Sequence, residues 1–371
     1  MTNTESLDIQ PPGSPSPSAQ VRIPALDGLR GCAILLVIVW HYFNTAWFPG
    51  WAGVDLFFVL SGYLITGRLM RTIDDPHYFS RFYRNRILRI FPLYYGLVIP
   101  FLLAIFFLVK PEHLHFYREH PVSLLIFTTN WTFVCFGLPH DYSLVPLWSI
   151  AVEEQFYLLW PFVILATRTR PKTRIGLLLT VSALILLTRT AIWIGFPTLR
   201  DTCYYNTFFR LDSLFAGCLL YQLDASAVRL PSGLIRKIAL ILLATLLTGI
   251  GIMHDGQPQN GFFSTVGYTL NALFFACLLH LALHPGSGRL PRFLSLPPLR
   301  YMGKISYCLY LIHVPVLLNI APGIVRLGQS ASSWDPAFIR WTAVLICLAL
   351  SILISGFSYR YVESFFLRLK K

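Results

Sequence analysis

The feature that most limits how this chain can fold is a series of ten apolar runs, each close to 20 residues. They fall at about 29–47, 52–71, 87–109, 146–167, 174–195, 207–223, 235–253, 261–283, 303–322 and 338–361. A run of that length forms a helix that spans the roughly 30 Å hydrocarbon layer at about 1.5 Å per residue, and in lipid only helices and closed barrels satisfy every backbone polar group. The sequence therefore predicts an all-α integral membrane protein, a bundle of about ten transmembrane helices. Composition agrees: 55% of the 371 residues are hydrophobic and 13% charged, with a mean hydropathy of +0.59, where soluble domains carry about a quarter charged residues.

The net charge of +13 would suit nucleic acid, anionic lipid or another anionic partner, so the placement of the basic residues decides. Arg68, Arg71, Arg81, Arg84, Arg86 and Arg89 lie around the connection between the second and third runs, and Arg168, Arg170, Lys172 and Arg174 between the fourth and fifth. Arg229, Arg236 and Lys237 precede the seventh run, Arg289, Arg292, Arg300 and Lys304 the ninth, and Arg368, Lys370 and Lys371 end the chain. Alternate connections hold few, chiefly Lys110, Arg118, Arg200 and Arg326. Cytoplasmic loops collect Lys and Arg, so both termini are expected in the cytoplasm, with lipid and not nucleic acid as the partner of the basic faces. Residues 1–21, rich in Pro and Ser, read as a disordered tail, 22–365 as the transmembrane domain and 366–371 as a basic C-terminal tail, with no appended soluble domain expected. The fourth run is the least clean, because it contains Glu153 and Glu154 and follows a mixed segment whose SLLIFTTNWTFVCF stretch is too short to span.

Ionisable residues inside such runs are costly and mark functional-site candidates. Arg30 and His41 stand 11 residues apart in the first run, close to a whole number of helical turns, so they share one face. With the first run entering from the inside, His41 is expected about 9 Å below the outer surface and Glu153 and Glu154 about 10–12 Å below the same surface. A carboxylate there would orient the imidazole and stabilise its protonated form, which makes His41 a candidate general base. Asp55 enters from the same side, and Ser149 lies in the same stretch as the glutamates. Arg86 and Arg89, with Arg84 behind them, form a cationic patch at the inner boundary, suited either to phosphate or pyrophosphate or to lipid headgroups. Arg210 and Asp212 read as a structural ion-pair group with Arg189 among their partners, and His313, on the helix of Ser306 and Tyr310, as a hydrogen-bonded packing residue. The seven cysteines have no metal-ligand spacing, so no metal is expected; Cys135 and Cys203 are the one pair that could meet.

These stretches resemble the acyltransferase 3 family of membrane proteins. Arg30 and His41 match its Arg, ten residues, His signature, and GVDLFFVLSGYLI, RNRILRIFPLYY, LWSIAVEEQFYLLWP, RLDSLFAGCLL, GKISYCLYLIH and YRYVE are similar to its further signatures in the same order. One departure is Pro146 and Leu147 before Trp148–Ser149, where some members carry a histidine. The resemblance implies an O-acyltransferase that moves an acyl group, usually acetyl, from cytoplasmic acyl-CoA to a hydroxyl of a glycan or other envelope-associated acceptor. It implies catalysis by His41 with Glu153 or Glu154 orienting it, donor binding by Arg30, Arg86 and Arg89, and a place in a bacterial inner (cytoplasmic) membrane; Asp55, Ser149, Arg210, Asp212 and His313 are read as substrate-binding or supporting residues. Members fused to an esterase-like domain pass the acyl group to it; here the acceptor, or a separate acyl-accepting partner, is expected to meet the membrane domain directly. The alternative is a proton-coupled transporter of an acylated or anionic small molecule that uses the same polar groups as its relay.

Overall fold

The computed structural model describes residues 23–43, 47–108, 114–226, 230–284, 288–331 and 334–370. The expected tail at 1–21 lies outside them, as do Lys110, Arg229 and Lys371. Among the described residues the chain is mostly helical, with no strand. Ten long helices carry the ten runs: α1 Pro24–Phe43, α2 Gly53–Arg71, α3 Tyr78–Phe107, α4 Leu147–Ala166, α5 Pro171–Gly195, α6 Thr207–Asp224, α7 Ser232–Met253, α8 Tyr268–Leu283, α9 Pro297–Ala331 and α10 Pro336–Ser358. Nine of these segments are long and apolar enough to cross a membrane. The remaining one, α6, has 18 residues but carries Arg210, Asp212 and Asp224. It belongs to the bundle through packing on α2, α5 and α8, where its charges find protein partners in place of lipid.

Several boundaries move for physical reasons. Helix α3 starts at Tyr78, well before the apolar run, so the arginines from Arg81 to Arg89 are helical and reach along the bundle. Helix α1 ends at Phe43, which shortens the first span at its far end. The SLLIFTTNWTFVCF stretch forms two short helices, Pro121–Leu125 and Thr129–Phe136, separated by Phe127 at a positive φ of 56°. It folds back against α4, where Gln155 donates to the Phe127 carbonyl at 2.8 Å and to Asn130 Oδ1 at 3.0 Å. All seven cysteines are free, and Cys135 is exposed while Cys203 is buried, so the pairing considered for them does not form.

Two helix pairs approach closely because glycine removes the side chain at the crossing. A Cβ at Gly303 of α9 would overlap the Asp27 carbonyl oxygen of α1, and one at Gly31 would overlap the Leu299 carbonyl. Gly62 of α2 and Gly217 of α6 form the equivalent contact, against the carbonyls of Leu214 and Val59. Small residues drive helix association in lipid because they let backbones meet, lipid tails being as apolar as the side chains they would replace. We expect Gly303→Ala to lower the melting temperature of the detergent-solubilised protein by more than ordinary overpacking, which costs about 1–3 kcal/mol. Gly96→Ala, with nothing within 4 Å of the added carbon, should leave it unchanged or slightly raised; equal melting of the two variants would contradict the close-contact account.

Candidate functional site

A cavity of about 870 Å³ runs into the bundle between α1, α2, α3, α4 and α9. Five arginines line it: Arg30 from α1, Arg68 and Arg71 from the last turn of α2, and Arg86 and Arg89 from α3. Among the described residues two carboxylates, Asp27 and Glu153, share its wall. Arg84, expected beside Arg86, is exposed and does not line the cavity. Arg68 and Arg71 take its place, three residues apart so that both face inward. Arg30 is loosely paired with Asp27 at 3.6 Å. The guanidinium of Arg86 lies 5.3 Å from the centre of the Tyr157 ring, and its buried Nε has no hydrogen-bond partner among the described residues. Lys370, half-buried just past the short helix Ser364–Arg368, lies within electrostatic reach of the same group. Burial, reinforced by Arg89, Arg86, Arg68 and Arg30, brings its ammonium down to about 7. Such an excess of guanidinium in a low-dielectric wall suits a ligand with several phosphate charges, since guanidinium forks match phosphate oxygens.

The inner wall is hydroxyl-rich. Ser61 donates to a Glu153 carboxylate oxygen and lies 2.9 Å from the Tyr157 hydroxyl. Tyr310 donates to the Pro146 carbonyl at 3.0 Å, and its oxygen is 2.6 Å from Ser149 Oγ. One turn earlier on α9, Tyr307 donates to the Ile90 carbonyl of α3 at 2.9 Å. One turn later, the fully buried His313 places Nε2 3.2 Å from Nδ1 of His41. Helix α9 thus touches α3, α4 and α1 through residues three apart.

The protons of the histidine pair follow from the hydrogen-bond network. His313 Nδ1 sits 2.7 Å from the Tyr310 carbonyl, so it carries the proton and leaves a lone pair on Nε2. His41 Nδ1 faces both that lone pair and the Val37 carbonyl at 2.9 Å, so it too is the protonated nitrogen. The unprotonated nitrogen of His41 is therefore Nε2, the form a general base requires.

The structure does not bring His41 to Glu153 or Glu154. With α1 ending at Phe43, His41 lies only about 3 Å along the axis from the helix end, whereas Glu153 lies about 9 Å into α4. The residue of α4 at the depth of His41 is Ser149, which Tyr310 joins to His313. Glu153 faces Ser61 in the cavity, and Glu154 has a buried Oε1 with no hydrogen-bond partner among the described residues. His313, read from sequence as packing, is the side chain that contacts His41. Ser61, Tyr157, Arg68 and Arg71 were not singled out as site residues; the last two carried a signal in their helical spacing, whereas a serine in an apolar run carries none.

Asp55, Arg210 and Asp212 belong to a separate network. Asp55 accepts from Arg210, from Ser213 at 2.8 Å and from Asn271 at 2.7 Å. Asp212 accepts from Arg189 at 3.0 Å and Thr269 at 2.6 Å. Arg210 also lies 4.2 Å from the centre of the Tyr268 ring, a cation–π contact. Together these ties hold α2, α5, α6 and α8, with Arg189 the partner expected for Asp212.

The described residues form a polytopic all-helical bundle that combines an arginine-lined cavity with a contact between the buried His313 and the part-buried His41. The family model described as an acyltransferase domain, acyltransferase 3, matches residues 23–360, and the chain belongs to that family. It is 32% identical over 363 residues to the O-acetyltransferase OatA of Staphylococcus aureus (strain NCTC 8325 / PS 47), covering 92% of this chain and 57% of that protein. It is 33% identical over 361 residues to the putative peptidoglycan O-acetyltransferase YrhL of Bacillus subtilis (strain 168), covering 92% and 54%. The peptidoglycan O-acetyltransferase OatA of Listeria monocytogenes is 30% identical over 364 residues, covering 92% and 55%. The chain thus spans somewhat more than half the length of these relatives. No solved structure matches it.

Removing one partner of a buried ion pair strands the other charge, at a cost of about 3–5 kcal/mol. Arg210→Met should therefore destabilise the protein by that order in thermal or denaturant unfolding in detergent. Pairing it with Asp55→Asn should recover part of the loss, and additive losses would argue against the pairing.

Proposed function

We propose that this chain is a membrane O-acyltransferase of a bacterial cytoplasmic membrane, with both termini cytoplasmic. It would move an acetyl group from cytoplasmic acyl-CoA to a hydroxyl of an envelope glycan. The relatives named as peptidoglycan O-acetyltransferases support a glycan acceptor, and the alternating basic connections support the orientation. The observation that carries the reading is a cavity wall that runs from five arginines, through Glu153 and Ser149, to Tyr310, whose backbone carbonyl accepts from His313, the partner of His41.

In this scheme Arg30, Arg68, Arg71, Arg86 and Arg89 hold the phosphates of the donor, and the thioester extends along the cavity toward Ser149 and Tyr310. His41 Nε2 takes the proton of the acceptor hydroxyl as its oxygen attacks the thioester carbonyl. The tetrahedral intermediate collapses to the ester and expels the CoA thiolate, which takes up the proton from His41. An alternative within the same site has His41 carry the acyl group transiently. His313 keeps the His41 ring in the tautomer required, and Glu153 with Ser61 supplies a hydrogen-bonded polar wall for the donor. The segment between α3 and α4 sits where an acceptor, or a separate acyl-accepting partner, would approach.

His41→Ala should reduce acetyl transfer or hydrolysis of acetyl-CoA by purified protein about 100-fold or more while leaving expression intact; an active variant would exclude the catalytic role. Substrate flux across liposomes without any acyl-CoA would favour the transporter reading instead.

Arg86→Ala should raise the apparent KM for acyl-CoA about tenfold, the worth of a charge-assisted hydrogen bond, with little change in kcat. Free Lys370 loses its proton above about pH 7, and a phosphate ligand favours the charged form. Binding therefore takes up a proton in the window above about 7, and donor affinity should fall as pH rises from about 7 to 9. Lys370→Met should flatten that profile, and an unchanged profile would place the lysine outside the donor site.

A further inference from the structure

At the end of the bundle where the arginine cavity opens, α6 finishes in Asp224 and α8 brings His280 and His284, four residues apart, to face it. One ligand atom from each lies within 4.8 Å of the others. His280 Nδ1 is 3.2 Å and His284 Nε2 3.7 Å from the same carboxylate oxygen, Asp224 Oδ1. The imidazoles stack with centres 3.9 Å apart and planes 24° apart. The second carboxylate oxygen, Oδ2, is held by the Tyr63 hydroxyl at 3.0 Å.

We propose that Asp224, His280 and His284 form a binding site for a divalent transition-metal ion, zinc foremost. The proton inventory supports this. His284 Nδ1 lies 2.9 Å from the His280 carbonyl and donates to it, so in the neutral ring Nε2 turns a lone pair toward a carboxylate oxygen. Asp224 Oδ1 and His284 Nε2, 3.7 Å apart, would each give a lone pair to a cation bound between them. An outer nitrogen fixed by a backbone carbonyl and a carboxylate fixed by a hydroxyl are the supports that metal-binding histidines and carboxylates use. His280 turns Nδ1 into the cluster even though its Nε2 is left buried with no hydrogen-bond partner among the described residues. Bonds of about 2.0–2.2 Å from zinc to nitrogen and oxygen put neighbouring ligand atoms roughly 3.3 Å apart, close to the 3.2 and 3.7 Å that separate the two imidazole nitrogens from Asp224 Oδ1. Two imidazoles and one carboxylate leave room for water and suit zinc or a neighbouring divalent ion, not magnesium or calcium. The expectation of no metal rested on cysteine spacing, which has no bearing on a histidine pair.

The site joins α6 and α8 to α2 through Tyr63. That residue and Tyr221, packed edge-to-face with ring centres 5.6 Å apart, line the arginine cavity. A metal here acts as a clamp beside the cavity, whatever ligand the cavity takes. The competing occupant is a proton, making the pair an imidazolium salt bridge.

The test uses the full-length protein in detergent, stripped with chelator and titrated with Zn²⁺ and Co²⁺. Bound metal is measured by mass spectrometry and the cobalt coordination by visible absorption. The proposal expects one equivalent bound, a rise in melting temperature with metal, and a loss of affinity of at least about tenfold in His284→Ala. His284 is partly exposed, so this substitution is tolerated by the fold. His284→Cys should retain the metal and add a thiolate-to-cobalt charge-transfer band. Metal binding that is equal in wild type and the His280→Ala/His284→Ala variant overturns the proposal, as does the absence of binding to folded wild type. Histidine variants that change only the pH dependence of melting, without metal uptake by wild type, assign the cluster to a proton and overturn it as well.

Discussion

The buried pairing of Asp55 with Arg210 and of Asp212 with Arg189 is the interaction on which the rest of the bundle depends. Arg189, Arg210 and Asp55 are fully buried and Asp212 nearly so, and a charge in hydrocarbon surroundings is tolerated only when partnered. The pairs come from α2, α5 and α6, with α8 adding Asn271 and Thr269, so the charges fix which helices are neighbours and at what height. Apolar packing alone would leave those choices open, because lipid-facing and helix-facing surfaces are equally greasy. The same lock puts α2 in place to present Ser61, Arg68 and Arg71 to the cavity.

The cavity holds the opposite electrostatic arrangement. Among the described residues, five guanidiniums line its wall against two carboxylates, and one of those, Glu153, is engaged by Ser61. Within one protein, Arg189 and Arg210 each meet a buried carboxylate, whereas the cavity arginines outnumber the carboxylates beside them. That difference separates Arg210 from Arg86, which a count of charged residues treats alike.

The helical architecture was legible in the sequence because a membrane permits few alternatives; even α6, with its three charges, announced itself by length and by alternation with its neighbours. The ion-pair partner Arg189 was legible for the same reason, since a buried aspartate must find a cation. The relation between His41 and the glutamates was not. It depended on where α1 ends, and a shift of four residues in that boundary moves a side chain by about 6 Å along the axis, enough to exchange Glu153 for Ser149 as its neighbour in depth. The helical start of α3 was hidden because arginine-rich sequence resembles a loop when only hydropathy is read. Ser61 carried no signal, since a hydroxyl acquires a role only when another helix brings it a carboxylate.

Tyr307, Tyr310 and His313 sit on α9 like rungs, each about 4.5 Å above the last, and each is tied to a different helix. A rod fastened at three heights can neither turn nor slide by a single contact. The two tyrosines that face the cavity and the histidine that meets His41 therefore share one rigid helix, so the position of the His313 imidazole is set by the same ties that set the cavity wall.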